Sequence, residues 1–139
     1  MKNIDLLIVE DNIRDAHLIK RILQKENLTQ AYHWVNDGEE VIQYLKEDSN
    51  PLPKVIILDI KMPRLDGFGV LEVLKKEKRT SKIPIVMYSS STQQSDIERA
   101  YSLGASSYLN KPARLQDMKD LFRNICEYWL RANKIVEIN

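Results

Sequence analysis

The sequence predicts an α/β fold built on one five-stranded, doubly wound parallel sheet, and three observations carry that expectation. Five short apolar runs fall near residues 4–9, 31–35, 55–59, 85–89 and 107–110. Segments with apolar residues at helical spacing separate them, so strands and helices alternate along the chain. Runs such as Leu6-Leu7-Ile8-Val9 and Val55-Ile56-Ile57-Leu58 are apolar throughout, as strands buried on both faces require. Alternation of this kind implies right-handed crossovers, with helices covering both faces of the sheet.

The elements follow in order. A first helix is expected over 13–26, with Asp11 or Asn12 as N-cap and Ala16, Ile19, Ile22 and Leu23 on its apolar side. The second opens after Asp37-Gly38 and carries Val41, Ile42 and Leu45. Asn50-Pro51-Leu52-Pro53 breaks the chain before the third strand. The third helix starts at Gly67 and uses Phe68, Leu71 and Leu74. The fourth follows Ser91-Thr92 and stops at Gly104, a glycine suited to the position after a helix end. The last places Met118, Leu121, Phe122, Ile125, Cys126 and Trp129 on one stripe.

Bulk properties narrow the function. At 139 residues the expectation is a single domain over 1–139, with a short C-terminal tail from about 132. Lys plus Arg minus Asp plus Glu is 21 − 20 = +1, so no strong field draws the chain to nucleic acid or anionic lipid. The lone Cys126 rules out an internal disulfide framework. There is no signal-peptide pattern and no apolar stretch of membrane-spanning length, so a cytoplasmic protein is expected. His17 and His33 have no metal-ligand spacing and are expected on exposed faces.

Polar residues terminate the apolar runs, and this is where chemistry is expected. Glu10-Asp11 follows the first run, Asp59 the third and Ser89 the fourth, while Lys111-Pro112 follows the fifth. In a parallel sheet the strand C-terminal ends form one rim, where ligands bind. That rim carries three carboxylates, a hydroxyl and an ammonium: an acidic divalent-cation site with phosphate-handling groups beside it.

The set Glu10-Asp11, Asp59, Pro63, Asp66-Gly67, Ser89, Tyr108 and Lys111-Pro112 resembles the receiver domain of two-component response regulators, over about residues 4–131. The resemblance implies a five-stranded, flavodoxin-like sheet. It implies that Asp59 accepts a phosphoryl group from a phosphohistidine, becoming a 4-aspartylphosphate. Mg²⁺ would be held by Asp11, Asp59 and the main-chain carbonyl of Lys61, with Glu10 acting through water. Lys111 and Ser89 would contact phosphoryl oxygens, and Ser89 with Tyr108 would form the switch, Tyr108 turning inward as Ser89 moves. Pro63, Asp66, Gly67 and Pro112 are structural, with Pro112 matching the family's cis-proline that aims the lysine. Ser stands at 89 where the family often has Thr, and Lys61 and Ser91 flank the path of a hydrolytic water.

Two other readings compete. A haloacid-dehalogenase-like phosphatase needs a second Asp two residues after its nucleophile, and that position is Lys61. A pseudo-receiver, never phosphorylated, has no chemical need for Glu10, Asp11, Asp59, Ser89 and Lys111 together. The favoured reading is a stand-alone regulator rather than an enzyme acting on a separate substrate. Its expected partners are a sensor histidine kinase or phosphotransfer protein and a downstream protein. Val9-Glu10-Asp11-Asn12 with Asp15, the hydroxyls from Ser89, and Tyr128-Trp129-Leu130 resemble the small regulators of bacterial phytochrome kinases. Tyr128, Leu130, Ile135, Val136 and Ile138 form surplus apolar surface late in the chain, suggesting a homodimer through the last helix.

Overall fold

The computed structural model describes residues 3–136. Its order is β1 (Ile4–Val9), α1 (Ile13–Lys25), β2 (Tyr32–Val35), α2 (Gly38–Lys46), β3 (Pro53–Leu58), α3 (Gly67–Lys76), β4 (Ile85–Ser89), α4 (Gln94–Ser102), β5 (Ser107–Asn110) and α5 (Leu115–Cys126). The five strands form one parallel sheet in the order β2-β1-β3-β4-β5, the flavodoxin-like arrangement.

Strand periodicity sorts the core into two layers. Leu6, Ile8, Val55, Ile57, Val86 and Tyr88 face one way and meet Ile19 and Leu23 of α1 and Phe122 and Ile125 of α5. Their neighbours Leu7, Val9, Ile56, Leu58, Ile85 and Met87 face the other way, toward Val41, Leu71 and Ala100 of α2, α3 and α4. Each fully buried Val, Leu, Ile, Met or Phe side chain among these stabilises the fold by about 1.5–3 kcal/mol. Tyr88 and Phe122 add an edge-to-face pair with ring centres 5.4 Å apart.

Local chemistry sets the helix starts. Asn12, Asp37 and Asp66 each accept a backbone N–H three residues ahead, capping α1, α2 and α3. Gly104 ends α4 with φ +106°, a left-handed value that a side chain would strain.

Three departures from the sequence expectation have physical causes. β3 begins at Pro53, before the predicted residue 55, because a proline is tolerated as the first residue of a strand. α4 begins at Gln94 rather than next to Thr92, because the Ser91 hydroxyl accepts from Gln93 N–H while donating to Asp96, forming a separate turn. After Cys126 the last helix widens into a π-helical segment, Glu127–Ala132. The wider turn rotates the side chains that follow, so Trp129 and Leu130 pack against the α1–α5 core layer. Of the expected surplus stripe, Tyr128 and Val136 remain 54 % exposed, Ile135 is half-buried, and Ile138 lies outside the described residues.

Candidate functional site

Register brings the carboxylates together. Val9 pairs with Leu58, so Glu10 and Asp59, one residue further on, leave the sheet side by side. Asp59 is anchored there by its N–H, which donates to the Val9 carbonyl at 3.1 Å. One carboxylate oxygen from each of Glu10, Asp11 and Asp59 lies within 4.8 Å of the others. Glu10 and Asp59 are buried and Asp11 is half-buried, so the cluster opens to solvent on the Asp11 side.

Gly67 closes the floor. Its N–H donates to the Ile60 carbonyl at 2.8 Å, and a Cβ built there would stand 2.3 Å from the Asp59 carbonyl oxygen. Only a residue without a side chain lets α3 start this close to the main chain of Asp59 and Ile60. Exposed Pro63 lies in the same loop, its carbonyl accepting from Leu65 N–H, and exposed Lys61 stands two residues beyond Asp59.

Lys111 enters from the other side. Its Nζ lies 2.7 Å from Glu10, 3.1 Å from Asp15 and 3.5 Å from Asp59. The backbone aims it, because Lys111 N–H donates to the Ser89 carbonyl at 2.8 Å. The expected cis-proline is corrected: no described peptide bond is cis, so the Lys111–Pro112 bond is trans. The β4–β5 hydrogen bond and the three carboxylates orient the lysine without it.

Burial and crowding set the protonation. Burial, and next the charge of Asp59, push Glu10 up to about 8 despite Lys111. The same two causes raise Asp11. Burial alone would lower Lys111, but Glu10, Asp59 and Asp15 reverse this and raise it. Glu10 Oε2 accepts from Asn12 N–H at 3.2 Å, whereas buried Oε1 has its cation close by but no hydrogen bond of good geometry.

A buried carboxylate with a raised pKa has a definite linkage sign. Folded Glu10 keeps a proton that the unfolded chain loses from its ordinary 4.5 upward, so stability falls as pH rises until about 8. In chelator, the thermal midpoint is therefore expected to be lower at about pH 8 than at about pH 5.5. A divalent cation added at the higher pH should recover the difference. Melting curves at the two pH values, with and without the cation, check this.

The hydroxyl groups sit along the same rim. Ser89 is 1 % exposed, and its Oγ accepts from Ser91 N–H at 3.0 Å. Tyr108 is half-buried, its hydroxyl donating to the Ser91 carbonyl at 2.9 Å. Asn110 Nδ2 donates to the same carbonyl at 2.7 Å. The structure thus gathers Glu10, Asp11, Asp59 and Lys111 into one cluster, with Ser89 and Tyr108 linked through the β4–α4 loop. Sequence reasoning assigned no role in the site to three neighbours: Asp15, which entered only through the resemblance to phytochrome regulators, Asn110, and Trp34, whose Nε1 donates to the Glu10 carbonyl at 2.8 Å. Asp15 was legible as a first-turn helix residue next to the Glu10-Asp11 rim; Trp34 depended on the β1–β2 register.

Fold and site together define an α/β protein with a buried acidic cluster and one ammonium at the carboxyl edge of its sheet. Residues 6–123 match the response regulator receiver domain, and the chain belongs to that family. It is 37 % identical over 132 residues to the probable methanogenesis regulatory protein FilR2 of Methanothrix harundinacea, covering 93 % of this chain and 85 % of that one. Among solved structures it resembles the phosphorylated cyanobacterial phytochrome response regulator RcpA, with TM-score 0.88 and 29 % identity, covering 97 % of this chain and 99 % of that one. The Mn²⁺-bound response regulator Rcp1 follows with TM-score 0.87 and 26 % identity, covering 96 % and 99 %. Response regulator Rcp1 of Synechocystis is 28 % identical to this chain over 131 residues, covering 91 % of this chain and 89 % of that one. The chain is therefore a two-component signalling module related to the phytochrome response regulators. Among the described residues no helix is long and apolar enough to cross a membrane.

Proposed function

We propose that the protein is a cytoplasmic, stand-alone response regulator in which Asp59 accepts a phosphoryl group from a phosphohistidine. The observation that carries this is the single cluster of Asp59, Glu10 and Asp11 with the Lys111 ammonium 3.5 Å from Asp59. An Asp59 carboxylate oxygen attacks phosphorus, the O–P bond forms as the N–P bond breaks, and the electron pair leaves on the imidazole nitrogen. Such transfer depends on positioning and charge neutralisation more than on further covalent steps.

The donor set fits a hard divalent cation: three carboxylates, one of them buried with an oxygen lacking a good hydrogen bond. Asp11, Asp59 and the Lys61 main-chain carbonyl would hold Mg²⁺, with Glu10 through water. When bound, Mg²⁺ would neutralise charge on the phosphoryl oxygens. Lys111 supplies a second positive charge and Ser89 a hydroxyl donor. Ser89 then moves toward the phosphoryl group and Tyr108 turns inward, altering the face formed by α4, β5 and α5. The protein acts only on itself, catalysing its own phosphorylation and dephosphorylation.

The phosphodonor is read as a sensor histidine kinase or phosphotransfer protein, and the kinship with phytochrome regulators favours a phytochrome kinase. The signal passes to a protein partner, and a second copy of this chain is one such partner. Exposed Tyr128 and Val136 offer apolar surface at the end of α5, less than the sequence promised because Leu130 turns inward. Self-association strengthened or weakened by an acyl-phosphate mimic is expected in sedimentation at tens of micromolar. A monomer in both states ends the homodimer reading.

The phosphoacceptor assignment is tested by labelling from a small-molecule phosphodonor. Label should require Mg²⁺ and vanish with chelator. Labelling that ignores the chelator contradicts the proposal.

A further inference from the structure

The Lys111 ammonium has three carboxylate neighbours, and one of them has no part in the reaction described above. Glu10 and Asp59 belong to the acidic cluster, whereas Asp15 stands on the first turn of α1 and accepts from Lys111 Nζ at 3.1 Å. The Asp15 backbone is pinned: its N–H donates to Asn12 Oδ1, and the next residue, Ala16, is 1 % exposed in the core. Lys111, in contrast, is an ammonium on a flexible four-carbon stem. Between α1 and the start of α5 lies an open cleft lined by Arg14, Asp15, Tyr88, Lys111, Pro112 and Arg114, so the stem has room to move.

We infer that Asp15 is a positioning residue that holds the Lys111 ammonium toward α1 in the unphosphorylated protein and yields it when Asp59 is phosphorylated. This rests on Asp59 being the phosphoacceptor. A phosphoryl group adds about two negative charges at physiological pH. They would form on Asp59, whose carboxylate is 3.5 Å from Nζ, and compete with Asp15 for the ammonium. A contact made in the resting state and weakened in the phosphorylated one biases the equilibrium toward the resting state. The Asp15 charge also repels the anionic donor, which acts in the same direction. Asp15 therefore restrains phosphorylation, in contrast to the other two carboxylates.

A plainer role is available, since an acidic residue in a first helical turn stabilises the helix through its dipole. That role moves the melting temperature and not the labelling rate. The test compares Asp15→Asn in the wild-type and Lys111→Ala backgrounds, with labelling by acetyl phosphate in Mg²⁺. Asp15→Asn should label about three- to fivefold faster than wild type, the worth of one partly exposed ion pair. In the Lys111→Ala background the same change should have less than half that effect. Where Lys111→Ala labels too slowly to time, beryllofluoride affinity read by Trp34 emission gives the same comparison. An unchanged or slower Asp15→Asn overturns the inference, as does equal acceleration in both backgrounds. If wild type takes no label, the phosphoacceptor assignment falls and this inference with it; labelled wild type beside an unaccelerated variant overturns this inference alone.

Discussion

Asp59→Asn is expected to reduce phosphoryl labelling to background while the fold survives. An amide cannot form the acyl phosphate, and it is a poorer ligand for a hard cation. The fold should not suffer, because Asp59 is a source of strain in the metal-free site. Its charge is the second cause, after burial, of the raised Glu10 pKa, and it raises Asp11 in the same way. Removing that charge lets Glu10 ionise more easily beside Lys111, which keeps Glu10 at 2.7 Å and Asp15 at 3.1 Å. In chelator at about pH 8 the variant is therefore expected to melt at or above the wild-type temperature. Labelling equal to wild type, or a lower midpoint under those conditions, would sink this account of the site.

Lys111→Ala has the second large effect, and it divides stability from metal binding. The substitution leaves Glu10, 1 % exposed, without the cation beside it. Removing one partner of a buried pair costs about 3 kcal/mol when the other stays charged. The loss should be confined to pH above about 8, because below that folded Glu10 already holds a proton. Mg²⁺ affinity should survive, since the ammonium sits among the carboxylates as a competitor of the cation. Asp11→Ala, by contrast, should lower that affinity by at least about tenfold. Trp34 provides the reading, its indole N–H donating to the Glu10 carbonyl at 2.8 Å. Fluorescence titrations of the two variants check the contrast; equal loss of affinity would mean that the lysine is misplaced. Phosphorylated Lys111→Ala should also fail to shift Tyr108, whose hydroxyl rests on the Ser91 carbonyl at 2.9 Å.

The sheet was legible because its strands are buried on both faces. Runs such as Leu6–Val9 and Ile85–Tyr88 contain no residue more than 2 % exposed, and continuous apolar runs of that length have few other solutions. The rim was legible for a related reason: a buried strand ends where its first polar residue stands, so Glu10, Asp59 and Ser89 announced themselves. What lay beyond reach depends on contacts between distant segments. Asp15 meets Lys111 across 96 positions of sequence, and Trp34 meets Glu10 only through the β1–β2 register. The π-helical turn over Glu127–Ala132 was invisible to a 3.6-residue period, so Trp129 was placed correctly on the core side while Leu130 was not. The Lys111–Pro112 bond is trans where the resemblance implied cis, and Lys111 Nζ lies 2.7 Å from Glu10.

The central claim is that Asp59 carries the phosphoryl group, and mapping the modified residue tests it most directly. Wild-type protein would be incubated with acetyl phosphate and Mg²⁺, trapped by borohydride reduction of the acyl phosphate, digested and sequenced by mass spectrometry. The account predicts homoserine in place of aspartate at position 59, present only when both phosphodonor and Mg²⁺ were supplied. Reduction at another carboxylate, or an unmodified position 59 in protein that has taken up label, would contradict it.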